Sequence, residues 1–108
     1  MNVLNIYGAS TWFKVLQTTD RSQTAVMSLE PGQATGEHAE SHRNSQQLLL
    51  LIEGKLLAEV DGELRTIAAG DLVVIPPNVK HKFTNEGKTP ALTVNVYCPP
   101  EYPPNEKG

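Results

Sequence analysis

The sequence predicts an all-β fold, and two observations lead to this prediction. No segment of the 108 residues carries a sustained helical period of apolar positions. Short runs rich in valine, leucine and isoleucine recur instead at intervals of roughly 8–12 residues, separated by glycine, proline, asparagine or aspartate. Such spacing is typical of an antiparallel sandwich or barrel.

The turn residues between the runs set the limits of each strand. Eight runs are predicted to be strands, at residues 10–18, 24–30, 47–53, 55–60, 63–68, 71–76, 80–85 and 91–97. Asp61-Gly62 separates two of them and is a strong signal for a two-residue hairpin. Pro31-Gly32 and Pro76-Pro77 stop two others, because proline has no amide hydrogen to donate to a sheet. Residues 1–8 form either an additional strand or a short turn.

Length and composition limit the organisation and the partners. One domain is expected over residues 1–108, with a core at about 10–98 and a proline-rich tail at 99–108 that is extended, either disordered or crossing to a partner. The net charge of −3 argues against nucleic acid and anionic membranes as partners. A single cysteine excludes a disulfide within the chain and fits a cytoplasmic location. We expect no signal peptide and no transmembrane helix.

The run at 47–53 holds five consecutive aliphatic residues and therefore bears on assembly. Side chains alternate along a strand, so an inward Gln47 places Leu49 and Leu51 in the core. The outward row then consists of Leu48, Leu50 and Ile52. Exposing three large aliphatic side chains is unfavourable, and pairing with a second copy is the commonest way to cover them. We therefore expect a homodimer.

Two windows of the sequence resemble the paired motifs of the cupin family. The second is nearly complete, with Gly70, Pro76, His81 and Asn85 at the family's spacing in "GDLVVIPPNVKHKFTN". Only the motif's second glycine differs, and Asn78 replaces it, a residue type that tolerates positive φ well. The resemblance covers about residues 30–90. It implies a double-stranded β-helix, the cupin jelly-roll barrel, typically with a metal site inside.

The first motif is imperfect and allows two registers. Counted forward from the preceding turn, His38 takes the first histidine position and Glu40 the second. Counted back from Gly54, Gln47 takes the place of the family's glutamate, and Glu40 and His42 take the histidine positions. We favour the second register because it keeps the family's loop length and retains His42. His38 is then an additional histidine.

All three histidines of the chain lie in these two windows, so a metal site is the leading interpretation. The candidate ligands are His42, His81, Glu40, Gln47 and His38. Residues 38, 40 and 42 share parity, so on an extended strand they face the same side. Neutral imidazole is a common metal ligand, and two histidines with one carboxylate form the facial set of non-haem iron sites. The divalent ion could be Fe, Mn, Zn, Ni or Cu.

Gln47 replaces the family's carboxylate by a neutral amide, so the site loses one negative charge. Three interpretations are open. Glu40 restores the charge from the preceding strand, or Gln47 only hydrogen-bonds to an imidazole, or the site no longer holds metal.

The leading functional prediction is a metal-binding cupin with a small-molecule pocket inside the barrel, lined from the strands at 24–30, 47–53 and 91–97. If the chain is an enzyme, the resemblance allows oxygenase, isomerase, decarboxylase or cyclase chemistry. The alternatives are a non-catalytic pocket that binds or senses a small ligand and a metal-free structural subunit of a larger assembly. Fold alone does not choose among them.

Other reactive or aromatic residues are interpreted as structural. Asp71 is expected to close a turn, and Cys98 to pack at a strand end without acting as a nucleophile. The aromatic residues expected in the core are Trp12, Phe13, Phe83 and Tyr97.

Overall fold

The structure is a computed structural model, and it describes residues 1–8 and 12–104. Within these residues the strands are β1 (Phe13–Thr18), β2 (Gln23–Leu29), β3 (Gln46–Glu53), β4 (Lys55–Val60), β5 (Glu63–Ala68), β6 (Leu72–Ile75), β7 (His81–Thr84) and β8 (Ala91–Cys98). Seven predicted strands match these bounds to within one residue at each end. The first begins at Phe13, and residues 10 and 11 of that prediction lie outside the described residues. Of the two possibilities for residues 1–8, the short turn is correct, at Ile6–Gly8.

Two antiparallel sheets face each other across a shared core. The five-stranded sheet has the order β1-β2-β8-β3-β6, and the three-stranded sheet has the order β5-β4-β7. The chain changes sheets at Gly54, where φ is 86° and an added Cβ would lie 2.7 Å from the carbonyl oxygen of Pro90. Only glycine fits that backbone approach. The architecture confirms the predicted all-β double-stranded β-helix.

Turns predicted from the sequence have the expected backbone. Asp61 and Gly62 have φ values of 52° and 81°, so the β4–β5 connection is the two-residue hairpin that needs two positive φ angles. Asn78, which replaces the motif glycine, has φ of 68°. Asp71 closes the turn before β6, because its Oδ2 accepts a hydrogen bond of 2.8 Å from the amide of Ala68.

Alternation along β3 sends its side chains to opposite sides, as predicted. Gln47, Leu49 and Leu51 are buried between the sheets. The alternate residues Leu48, Leu50 and Ile52 are half-buried on the outside. Neighbouring strands extend this outside surface, which we call the apolar outer face; it comprises Leu48, Leu50 and Ile52 of β3, Val94 and Val96 of β8, and Leu72 and Val74 of β6.

The C-terminal residues differ from the expected extended tail, which was to be either disordered or crossing to a partner. Residues 99–104 form no strand, as their prolines require, but they fold back onto their own chain. The cause is a pair of buried polar side chains, Gln23 and Ser45, that bind their backbone. Residues 105–108 of the predicted tail lie outside the described residues. Cys98 is a free, half-buried thiol. The one helical element in the described part of the chain, the three-residue 3₁₀ turn at Ile6–Gly8, lacks the length and apolar character needed to cross a membrane.

Candidate functional site

His42 and His81 lie in a cavity of about 120 Å³ between the two sheets, which we call the histidine cavity. Its lining residues are Trp12, Phe13, Met27, Thr35, Glu40, His42, Gln47, His81, Phe83, Tyr97 and Tyr102. The predicted pocket strands each contribute one side chain, from Met27, Gln47 and Tyr97. The remaining wall comes from β1, from β7 and from the segments that precede β3 and follow β8.

Backbone contacts bring the two motif windows together. The amide of Glu40 donates to the carbonyl of His81 at 3.0 Å, and the amide of His81 donates to the carbonyl of Glu40 at 2.7 Å. The amide of Asn78 donates to the carbonyl of His42 at 2.7 Å. The positive φ at Asn78 therefore helps to place His42 beside the first residue of β7.

The imidazoles of His42 and His81 are neighbours, with ring centroids 4.9 Å apart. Nδ1 of His81 donates to the carbonyl of Val79 at 3.0 Å, so Nε2 of the neutral ring keeps its lone pair. Burial lowers the pKa of His81 below its ordinary value, and the nearby His42 lowers this pKa further. The hydrogen bond to Val79 and the carboxylate of Glu40 raise the pKa, but they do not cancel the effect of burial. His81 is therefore a neutral imidazole near pH 7.

Gln47 begins a buried chain of side-chain hydrogen bonds, the amide relay. Nε2 of Gln47 donates to Oδ1 of Asn95 at 2.9 Å, Nδ2 of Asn95 donates to Oγ1 of Thr93 at 3.0 Å, and Thr93 donates to the carbonyl of Met27 at 3.1 Å. A backbone carbonyl only accepts, so Thr93 must donate its proton there, and this fixes the direction of the whole relay. Oε1 of Gln47 is left facing the cavity, 3.1 Å from Nε2 of His42.

Both ring nitrogens of His42 contact side-chain oxygen atoms. Nε2 meets Oε1 of Gln47 at 3.1 Å, and Nδ1 meets Oε2 of Glu101 at 3.3 Å. The contact with Gln47 is a hydrogen bond, and the contact with Glu101 has the distance of an ion pair, which only a protonated ring forms. The side chains of His42 and Glu101 are only 13% and 25% exposed, so water screens their contact only in part.

Aromatic rings complete the wall. Tyr97 packs edge-on against His42, with centroids 5.4 Å apart, and Tyr102 packs edge-on against Tyr97 at 5.2 Å. Burial raises the pKa of the Tyr97 phenol well above its ordinary value, and the neighbouring Tyr102 and Glu101 act in the same direction. The phenol therefore stays protonated and neutral.

The aromatic residues predicted for the core divide into two groups. Phe13, Phe83 and Tyr97 are buried in the core, as expected. Trp12 is 40% exposed and contacts Phe13, so it lies at the rim of the histidine cavity and its predicted core position is wrong. It directly precedes β1, the edge strand of the five-stranded sheet, although its carbonyl still accepts from the amide of Ser28 in β2.

The structure brings four of the five candidate ligands to one place. Glu40, His42, Gln47 and His81 line the histidine cavity, whereas His38 is exposed and does not. This placement corresponds to the register in which Glu40 and His42 occupy the histidine positions of the first motif.

Three neutral side chains with metal-ligating atoms line the imidazole end of the cavity, those of His42, His81 and Gln47. His42 Nε2 and Gln47 Oε1 are 3.1 Å apart. Two ligands about 2.1 Å from one ion are about 3.0 Å apart in octahedral geometry and about 3.4 Å apart in the tetrahedral geometry of zinc, and the observed separation lies between these values. His81 adds a second imidazole whose Nδ1 proton is fixed by a backbone carbonyl, as is usual for metal-bound histidine. The set lacks a buried carboxylate: within residues 1–8 and 12–104, no three side chains of histidine, cysteine, aspartate or glutamate converge closely enough to hold an ion.

A second and larger cleft lies away from the histidines. It has a volume of about 430 Å³ and is lined by residues of β4, β5 and β6 with their turns, among them Arg65, Glu63 and Asp71. None of the candidate ligands lines it. We assign the functional site to the smaller cavity because it is lined by His42, by His81, whose pKa is lowered, and by Gln47, where the amide relay begins.

Several site residues were missed by the sequence analysis. Thr93 and Asn95 are polar residues at inward positions of β8, in phase with Tyr97, and that parity was a usable signal. No pattern in the sequence indicated Glu101 and Tyr102, because their positions depend on how the chain folds back after β8.

Comparison with known proteins agrees with this architecture. The family model for the cupin domain matches residues 25–97. The crystal structure of BH2720 from Bacillus halodurans has a TM-score of 0.89 to this chain, at 24% sequence identity, and the match covers 97% of this chain and 86% of that chain. At this identity the likeness is one of fold.

Two named relatives share part of the sequence. Polyketide synthase CurC of Streptomyces cyaneus is 32% identical over 66 residues, which are 61% of this chain and 42% of CurC. Gentisate 1,2 dioxygenase 1 of Aquipseudomonas alcaligenes is 37% identical over 59 residues, which are 53% of this chain and 17% of the dioxygenase. The matched region therefore spans less than half the length of either relative.

Proposed function

The chain belongs to the cupin family, and from this premise we propose that it binds a compact small molecule together with a divalent metal ion in the histidine cavity. His42, His81 and Gln47 would hold the ion. The observation that carries the proposal is the approach of His42 Nε2 to Gln47 Oε1, 3.1 Å apart, beside the neutral imidazole of His81.

Glu40 has a different part in the proposal. Its side chain is exposed yet lines the histidine cavity, and its negative charge acts on His81. We assign it the compensation of the charge that Gln47 lacks, because a divalent ion held only by neutral donors is poorly neutralised. His38 is left out of the site because it does not line the cavity.

The remaining groups orient the ligand and exclude water. A bound ion would supply Lewis acidity toward an oxygen atom of the ligand. The amide relay holds Oε1 of Gln47 toward the cavity, and the bond to Val79 keeps the proton of His81 on Nδ1. Tyr97 and Tyr102 offer an aromatic surface for the apolar part of the ligand.

The relatives support a ligand that combines oxygen atoms with an apolar carbon skeleton. One is a polyketide synthase protein, and another is a dioxygenase named for gentisate. Such a ligand suits a cavity lined by both imidazoles and tyrosines. If the chain is an enzyme, oxygenase, isomerase, decarboxylase and cyclase chemistry are the classes we propose. The cytoplasmic location and the homodimer stay predictions.

A second candidate is a metal-free pocket that binds or senses a small ligand. It is favoured by the contacts of His42, since both of its nitrogens already face oxygen atoms, Gln47 Oε1 and Glu101 Oε2. In that case the imidazole end would recognise the ligand by hydrogen bonds alone.

Anomalous scattering from crystals of the purified protein, measured across the Mn, Fe, Ni, Cu and Zn edges, separates the two candidates. We expect an anomalous peak within ligand distance of His42, His81 and Gln47. Crystals grown with each metal in excess that show no such peak would contradict the metal proposal. An organic molecule in the same cavity without a peak would favour the metal-free pocket.

A further inference from the structure

The segment at residues 99–104 is attached to the barrel by two buried side chains. Gln23, which is fully buried, donates from Nε2 to the carbonyl of Tyr102 at 2.7 Å. Its Oε1 accepts from the amides of Glu101 and Tyr102 at 3.1 and 2.9 Å. The buried hydroxyl of Ser45 donates to the carbonyl of Pro99 at 2.8 Å. Four hydrogen bonds to backbone atoms fix the path of this segment, so the side chains it carries have defined positions.

Both central side chains of the segment contact His42, which lines the histidine cavity. Oε2 of Glu101 lies 3.3 Å from Nδ1 of His42. The ring of Tyr102 packs against Phe13, with centroids 4.9 Å apart, and against His42 at 6.1 Å. These residues lie outside the part of the chain that matches the cupin domain, residues 25–97, so the family pattern does not account for them.

We infer that the segment at residues 99–104 is a working part of the site, in which Glu101 is a positioning residue for His42 and Gln23 is its anchor. This inference rests on the proposed function only where metal binding is concerned. A carboxylate oxygen 3.3 Å from Nδ1 favours a proton on that nitrogen over one on Nε2, and so leaves Nε2 for the ligand side. Nε2 is the atom that faces Gln47 across the cavity.

Burial of Gln23 supports the inference. Burying a glutamine side chain costs free energy unless each of its polar atoms has a hydrogen-bond partner. Nε2 of Gln23 donates to Thr18 as well as to the segment. Oε1 of Gln23 has its partners in the segment, the amides of Glu101 and Tyr102. This attachment also brings Glu101 to His42. Attachment of the segment and orientation of the ring are therefore coupled in the structure.

The test uses the full chain without metal and imidazole nitrogen spectra, in which long-range proton–nitrogen correlations report the protonation of each ring nitrogen. We expect Nδ1 of His42 to carry a proton in the unmodified protein. In Glu101→Ala its resonance should move toward that of His38, which is exposed and serves as an internal reference. Glu101→Gln keeps the shape of the side chain and is the second variant should Glu101→Ala fold poorly. Unchanged His42 resonances in both variants would overturn the inference.

The role of Gln23 as anchor is tested by replacing it, because Gln23 binds the segment and not the imidazole of His42. Gln23→Ala should move the His42 resonances in the same direction as Glu101→Ala, because the segment is released. Gln46→Ala, at an exposed glutamine of β3, is the matched control and should leave them unchanged. His42 resonances that respond to neither glutamine would remove Gln23 from the role of anchor.

Co²⁺ titration then links the segment to the proposed metal. Replacement of a residue that orients a metal ligand typically weakens metal binding by about 10–100-fold, and we expect this loss for Glu101→Ala. Equal Co²⁺ affinity in the unmodified protein and the variant would contradict the positioning role. If the unmodified protein binds no Co²⁺, the metal proposal fails, while the nitrogen spectra still decide on Glu101.

Discussion

Nε2 of His42 lies 3.1 Å from Oε1 of Gln47, and the amide relay behind Gln47 leaves that oxygen turned toward the cavity. Gln47 thus places a neutral amide oxygen where the cupin pattern has a carboxylate. A hydrogen bond to the buried side chain of Asn95, which in turn donates to Thr93, fixes the orientation of this amide. Among the described residues that line the cavity, Glu40 is the one that carries a carboxylate. This relationship leads to the first two predictions.

Restoring the carboxylate should strengthen metal binding. Gln47→Glu is expected to tighten Zn²⁺ binding about tenfold or more, because a negative charge then contacts the ion directly. The gain in affinity from Gln47→Glu should be larger in a Glu40→Gln background. The carboxylate at position 47 is then the only one of the two near the ion, and not the second. Isothermal titration of the unmodified protein, both single variants and the double variant gives the coupling. Four identical affinities would show that neither residue is near the ion.

Interrupting the amide relay should destabilise the fold without touching the cavity surface. Asn95→Ala leaves Nε2 of Gln47 without its buried acceptor, and we expect the free energy of unfolding to fall by about 1–3 kcal/mol in urea. Asn44→Ala, at an exposed asparagine, is the control and should change it by less than about 0.5 kcal/mol. Equal stability of the two variants would mean that the relay contributes nothing.

The stability of the metal-free protein should depend on pH through His81. Burial lowers the pKa of His81 in the folded state, so between the folded and unfolded pKa values the unfolded chain binds more protons. Stability therefore rises with pH through this window, and it falls as the pH drops below the unfolded value near 6.5. Urea unfolding from pH 7.5 to 5.5 should show a smaller loss for His81→Gln than for the unmodified protein.

The exposed histidine provides the control for this pH effect. His38→Gln should keep the pH dependence of the unmodified protein, because His38 is exposed and does not line the cavity. A pH dependence that is the same in His81→Gln and His38→Gln would remove His81 as its source.

The apolar outer face should pair two copies of the chain. Leu50 pairs with Leu72 on one side and Val94 on the other, and Leu72 is 66% exposed in the single chain. Covering such a surface is favourable by roughly 25 cal/mol per Å² of apolar area, so we expect a homodimer by light scattering after size exclusion. Leu50→Glu should yield a monomer.

Leu64 offers a matched control for the dimer. It is 61% exposed but belongs to β5 of the other sheet, so Leu64→Glu should leave the dimer intact. A monomer of the unmodified chain at tens of micromolar, or a dimer that survives Leu50→Glu, would contradict this assignment of the interface.

Much of the fold was predictable because its determinants are local. Paired positive φ angles at Asp61 and Gly62 follow from the dipeptide itself, and the alternation around Gln47 follows from strand geometry. The second motif indicated the position of His81, and the positive φ of Asn78 shows that asparagine performs the role of the missing glycine.

The contacts that define the site were less predictable because they are long-range. The bond between Gln47 and Asn95 joins residues 48 positions apart, and the direction of the relay depends on a backbone carbonyl at Met27. Glu101 reaches His42 only because Gln23, 78 residues before Glu101, holds the returning chain. Proline content indicated that the tail forms no strand, but it contains no information about where the tail packs.

Metal stoichiometry of alanine variants tests the central claim most directly. After saturation with Zn²⁺ and removal of free metal, element analysis should find about one ion per chain in the unmodified protein and in His38→Ala. His81→Ala should be empty, because the loss of one imidazole from so small a donor set removes most of the affinity. Full occupancy in a folded His81→Ala protein would contradict the metal site at His42, His81 and Gln47.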